Sequence, residues 1–139
     1  MKDKIKNFAL AALVIAFFSI LWSCGDAPLD EDNLLITDRE ECYASNFDLL
    51  GADHISVRVG SAEIDDTQGT INITVQYGTD LHHLYPILSV VTDAKVEPKI
   101  EGMDDFSDLD HPHQYTVISG NRKVRKTYTV YIKVQQRNK

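Results

Sequence analysis

The chain has 139 residues, with 14 Lys+Arg against 21 Asp+Glu, 43% apolar residues and two cysteines, which allows about one domain with a single core. An average apolar fraction with 25% charged residues excludes disordered, collagenous and disulfide-stapled classes. The acidic balance, −7 overall and −9 once residues 1–23 are removed, argues against nucleic acid or anionic lipid head groups as general partners.

The first element is an address. Lys2, Lys4 and Lys6 precede the uncharged run Phe8 to Trp22. At about 1.5 Å per residue this run falls short of a bilayer core, so a secretory signal is the better reading than a permanent transmembrane helix. Leu21-Trp22-Ser23-Cys24 resembles the lipobox of bacterial lipoproteins, in which the chain is cut before a Cys that already carries lipid. The resemblance implies that residues 1–23 are removed and that an acylated (palmitate-bearing) Cys24 becomes the mature N-terminus, anchoring the protein without spanning the membrane. Gly25-Asp26-Ala27-Pro28-Leu29-Asp30-Glu31-Asp32 is similar to the signal that sends Bacteroidota lipoproteins to the outer face of the outer membrane. Residues 24–41 read as an acidic flexible tether, and 42–139 as the folded domain. With Cys24 carrying lipid, Cys42 has no partner for an internal disulfide and reads as a small buried apolar residue.

Period-two alternation dominates the folded domain. Ile55, Val57 and Val59 alternate with polar neighbours, as do Ile71, Ile73, Val75 and Tyr77, and again Tyr128, Val130, Ile132 and Val134. Turn chemistry separates them at Gly60-Ser61, Asp65 to Gly69, Thr92-Asp93 and Gly120-Asn121. Tyr115-Thr116-Val117 and Tyr128-Thr129-Val130 flank the last turn, which predicts a hairpin over Gln114 to Val134 with the tyrosines as neighbours. One helical turn is predicted at Thr79 to Leu84, capped by Thr79 or Asp80 and stopped by Pro86. Short strands without a long amphipathic helix predict an all-β, antiparallel β-sandwich or barrel, the sandwich being preferred because an open meander of this size would leave an apolar face uncovered.

Ala62-Glu63-Ile64-Asp65-Asp66, Gly69 to Val75, Tyr77-Gly78-Thr79-Asp80-Leu81, Ala94 to Pro98, Asp105-Phe106-Ser107 and Lys126 to Val130 together resemble the Ig-like repeat of Bacteroidota surface lipoproteins. The resemblance covers residues 42 to 134. It implies the sandwich fold and a place in polysaccharide-utilisation or other surface assemblies, as a spacer or carbohydrate-facing module. The stretch Asp108-Leu109-Asp110-His111-Pro112-His113 departs from the family pattern.

Chemistry-bearing residues are sparse. His111 and His113, beside Asp104, Asp105, Asp108 and Asp110, are candidate metal ligands, but no H-E-x-x-H or paired C-x-x-C spacing accompanies them, so neither a metal nor another cofactor is expected. No G-x-S-x-G is present, and a sandwich this small fills its interior with its own side chains, so an enzyme is not expected. Sugar binding needs flat aromatic faces, and the single Trp lies in the signal. Tyr77, Tyr85, Phe106 and Tyr131 are therefore the candidate ligand-binding residues, Tyr131 because it falls on the polar phase of its strand. A cluster of Arg122, Lys123, Arg125 and Lys126 marks the hairpin tip as a further candidate contact for acidic polysaccharide or protein. These features together predict a non-catalytic, lipid-anchored outer-membrane surface protein acting as a binding or spacer module, including glycan capture. The alternative is a structural accessory subunit that docks on a larger surface complex and takes no small ligand.

Overall fold

A computed structural model describes residues 25–138; the segment read above as a signal and Cys24 lie outside the described residues. Seven strands form: β1 (Ala44–Leu50), β2 (Glu63–Asp65), β3 (Thr70–Val75), β4 (Tyr85–Val90), β5 (Lys95–Glu97), β6 (Gln114–Ile118) and β7 (Arg125–Val134). No helix occurs among the described residues. β1 and β4 make a two-stranded sheet, and the other strands a five-stranded sheet in the order β2-β3-β7-β6-β5. The two sheets form the expected all-β sandwich, closed by Phe47 and Leu49 from one side and Ile71, Ile73, Val75, Val117, Tyr128 and Val130 from the other.

Alternation explains the large sheet. In β3 Ile71, Ile73 and Val75 are buried while Thr70, Asn72 and Thr74 face outward, and β7 repeats the pattern with Tyr128 and Val130 inside. The predicted hairpin is present, and Tyr115 pairs directly with Tyr128 across β6 and β7. Asp65 closes the β2–β3 turn by accepting from the N–H groups of Thr67 and Gln68, and Gly69 takes a φ of 67°, a left-handed conformation that suits glycine. The β3–β7 pair runs parallel, with Asn72 beside Tyr131, so one ladder departs from the antiparallel expectation. That pairing brings together two strands far apart in sequence, and no hairpin signal announces it.

Three local expectations need correction. Residues 55–59 form isolated bridges rather than a strand, because the segment passes from one sheet to the other. The Val57 N–H donates to Leu49 of β1, whereas the Val59 N–H donates to Thr74 of β3. Ile55 is consequently exposed. Thr79 to Leu84 is a turn, not a helix: the Asp80 carboxylate accepts from the His82 N–H, the Thr79 hydroxyl donates to the Gln76 carbonyl, and Leu84 bridges to Asp104. Pro86 then lies inside edge strand β4, where a missing N–H is tolerated.

The acidic segment that precedes the domain makes specific contacts with it. Residues 28–36 form a small hairpin in which Leu29 bridges to Leu35, the Ile36 N–H donates to Pro28 and the Asp30 N–H donates to Leu34. Thr37 donates to the Gly120 carbonyl and Asn121 to the Arg39 carbonyl, each at about 3 Å, and Arg39 pairs with Asp93 at 3.2 Å. The Asp30 side chain, 8% exposed, accepts from Arg122 at 2.8 Å and lies 3.1 Å from the equally buried Lys95 ammonium.

Candidate functional site

The outer face of the five-stranded sheet carries the candidate site. Because Ile71 and Ile73 point into the core, Asn72 and Thr74 point out; because Tyr128 and Val130 point in, Tyr131 and Lys133 point out. Register aligns them. Glu63 pairs with Asn72 and Asn72 with Tyr131, so a carboxylate, a carboxamide and a phenol ring stand in one row across β2, β3 and β7. Lys133 stands beside Thr74 one step further along, and Val59 and Ser61 close the rim of a solvent-open concavity of about 480 Å³. Tyr131 is 47% exposed, so part of its ring is open to a ligand. Amide, carboxylate, hydroxyl and ammonium groups beside that ring supply both donors and acceptors for a polyhydroxylated ligand.

The other expected aromatic residues do not join this face. Tyr77 is exposed just past the end of β3. Tyr85 opens β4 on the outer side of the opposite sheet and stacks on His54 with ring centres 4.4 Å apart. Phe106 is 2% exposed and packs in the core with one face against His113 at 4.2 Å, so its ring is not open to a ligand. Asn72, Glu63 and Lys133 escaped the sequence reading because their alignment with Tyr131 depends on the parallel β3–β7 register.

Four of the five histidines lie together in the loops that precede β4 and β6, and each of these four engages its own aspartate. His82 meets Asp105 at 3.2 Å, His83 meets Asp80 at 2.9 Å, His111 meets Asp108 at 2.9 Å and His113 meets Asp104 at 3.2 Å. Hydrogen bonds from the Ser107 hydroxyl and N–H, then from His82, hold the Asp105 carboxyl down at about 2. His83 and His111 are the main causes that lower Asp80 and Asp108 respectively. No group of three or more His, Cys, Asp or Glu side chains placed to hold a metal ion occurs among the described residues.

Most of the basic cluster at the β6–β7 turn is engaged with acids. Arg122 binds Asp30 and four main-chain carbonyls, Arg125 binds Glu97 at 2.6 Å, and Lys126 lies 3.9 Å from Asp66. Cys42 contacts the Val117 carbonyl at 3.1 Å, and burial pushes its thiol up, consistent with a packed rather than a reactive cysteine.

Residues 54–132 match the family described as SGBP, N-terminal, and the chain belongs to this family, a domain of surface glycan-binding proteins of Bacteroidota. Membership in a binding-protein family accords with a non-catalytic module of the cell surface. No curated protein matches the chain. A candidate glycoside hydrolase of Bacteroides thetaiotaomicron VPI-5482 is similar in structure, with 25% identity, a TM-score of 0.54 and coverage of 73% of this chain. A DUF4623 family protein of Bacteroides eggerthii DSM 20697 shares the fold at 18% identity, with a TM-score of 0.51 over 70% of this chain. The chain spans 28% and 22% of those two proteins respectively.

Proposed function

We propose that the chain is a non-catalytic, Ig-like surface module, anchored through acylated Cys24 at the outer face of the outer membrane, that contacts glycan through the Tyr131 face of its larger sheet. The observation that carries this reading is the alignment of Glu63, Asn72 and Tyr131 within the stretch matched by the family. The aromatic ring supplies an apolar face for a pyranose, and the flanking amide and carboxylate bond its hydroxyls. An open, strand-borne surface suits an extended polysaccharide better than a buried small molecule.

The test is a binding screen of the mature chain against neutral and acidic polysaccharides, with and without a chelator. Saturable binding that survives the chelator and is abolished by Tyr131→Ala supports the reading. Binding unaffected by Tyr131→Ala moves the contact elsewhere, and no binding to any polysaccharide rejects it. The anchor is tested separately: Cys24→Ser should leave an unacylated, unprocessed precursor.

A second reading, docking on a larger surface protein without any small ligand, is favoured by a different feature. Between the edge strands β4 and β5, Leu34, Leu88, Val90, Val96 and Ile100 line an open groove of about 510 Å³. Edge strands beside apolar surface are where a partner strand adds.

A further inference from the structure

The segment between the anchor and the sandwich is mounted on the fold, and its mounting determines which side chains it presents outward. Asp30 points inward to Lys95 and Arg122, and it also caps its own turn by accepting from the N–H groups of Asp32 and Leu34. Arg122 reinforces this by donating to the Leu35 carbonyl. Leu29 and Leu35 are antiparallel partners in this hairpin, so their side chains project from the same side, opposite to Asp30. They are 53% and 49% exposed. Single exposed leucines are ordinary, but a cross-strand pair on a clamped hairpin is a fixed apolar surface.

Chain length says what lies against it. Four residues, and so five residue steps, separate Cys24 from Leu29, a reach of at most about 17 Å even when fully extended. We infer that Leu29 and Leu35 rest on the bilayer surface that holds the Cys24 lipid, so that the clamped hairpin sets the sandwich on the membrane with its β6–β7 turn lowermost. The inference depends on the anchor reading above and goes beyond it in assigning an orientation. Asp26 and Glu31 beside the leucines disfavour an anionic surface, whereas Asp32 is neutralised by Lys95 at 2.7 Å. The ten residues of β7 then carry the chain about 30 Å away from the clamp, which lifts Tyr77, just beyond the far end of β3, clear of the lipid.

The experiment exploits the absence of tryptophan from the mature chain. Leu35→Trp, Leu29→Trp and, as the distal control, Tyr77→Trp are made in the full chain, acylated in cells and reconstituted in phosphatidylcholine–phosphatidylethanolamine vesicles containing brominated phosphatidylcholine. Both leucine positions are exposed, so each tolerates the larger ring, and the two variants check one another. With Cys24 acylation verified by mass, bromine should quench Trp at 29 and 35 at least about threefold more than Trp at 77. Equal quenching at all three positions in acylated protein overturns the orientation and leaves the anchor intact. A Cys24 without lipid overturns the anchor and the orientation together, and the mass measurement separates these two failures.

Discussion

Tyr115 and Tyr128 stand opposite each other on β6 and β7, both buried, yet only Tyr128 has partners for its hydroxyl. That hydroxyl accepts from the Ala44 N–H at 3.1 Å and donates to the Asp66 carboxylate, tying β1 and the β2–β3 turn to β7. The Tyr115 hydroxyl is buried with no partner. Tyr128→Phe should therefore destabilise by about 1–3 kcal/mol, because it strands a buried N–H, whereas Tyr115→Phe should be neutral or stabilising. Urea unfolding of the two variants decides it; equal losses would contradict the asymmetry.

Much of this arrangement was legible in the residues. The repeated Tyr-Thr-Val units on either side of Gly120-Asn121 predicted the hairpin, and the Asp65 to Gly69 turn was readable because each residue there has one conformational use. Strands β1 and β4 were not legible for identifiable reasons. A register irregularity between Ala44 and Asn46 breaks the alternation of β1, and Pro86 reads as a stop although it sits on an edge. The candidate site was legible only as Tyr131. Its neighbours come from a parallel pairing of β3 and β7, which is set by the whole sandwich rather than by any local pattern. Asp30 was the hardest to see, since an aspartate among acidic residues reads as solvated until Lys95 and Arg122 are found beside it.

Gly69 tests the β2–β3 turn. Its φ of 67° is left-handed, and a Cβ there would lie 2.5 Å from the Thr127 carbonyl oxygen on β7. The Thr129 N–H also donates to the Gly69 carbonyl, so the turn cannot shift without loosening the parallel ladder. Gly69→Ala should cost more than the ~1 kcal/mol of conformational strain alone. Unfolding free energies of wild type and variant, measured under identical conditions, check this; a loss below that figure would mean the turn yields freely.

Acid should loosen the loops that precede β4 and β6. The Asp105 carboxyl is held at about 2, below its ordinary value of 3.8, chiefly by Ser107 and then by His82. A carboxylate depressed in the folded state contributes stability that is complete above its unfolded value and lost as pH falls through the folded one. The contribution of Asp105 is therefore full above about pH 4 and disappears on the way to about pH 2. Thermal unfolding followed by circular dichroism should fall over that window in wild type and fall less in Asp105→Asn. Parallel curves would remove Asp105 as a cause.

The clamp on the N-terminal segment makes a separate prediction. Burial pushes the Asp30 carboxyl up, but hydrogen bonds from Leu34, Lys95, Arg122 and Asp32 outweigh it and hold the group well below the usual carboxylate range. Asp30→Ala leaves the guanidinium of Arg122, 14% exposed, without its acidic partner and the ammonium of Lys95, 8% exposed, with Asp32 and the more distant Glu97 alone. Gly120 offers an independent lever, because a Cβ there would collide with the Thr37 hydroxyl and crowd Asp93 and Arg39 at 3.0 and 3.2 Å. Both Asp30→Ala and Gly120→Ala should lift the segment and expose the peptide bond after Arg39, the one basic residue between Cys24 and Cys42. Limited trypsin digestion of the mature chain should release residues 24–39 faster in each variant than in wild type. Asp26→Ala, which removes an equal charge from outside the clamp, should leave the rate unchanged. If all three variants were cut at the wild-type rate, the contacts of Asp30 would not be what holds the segment down.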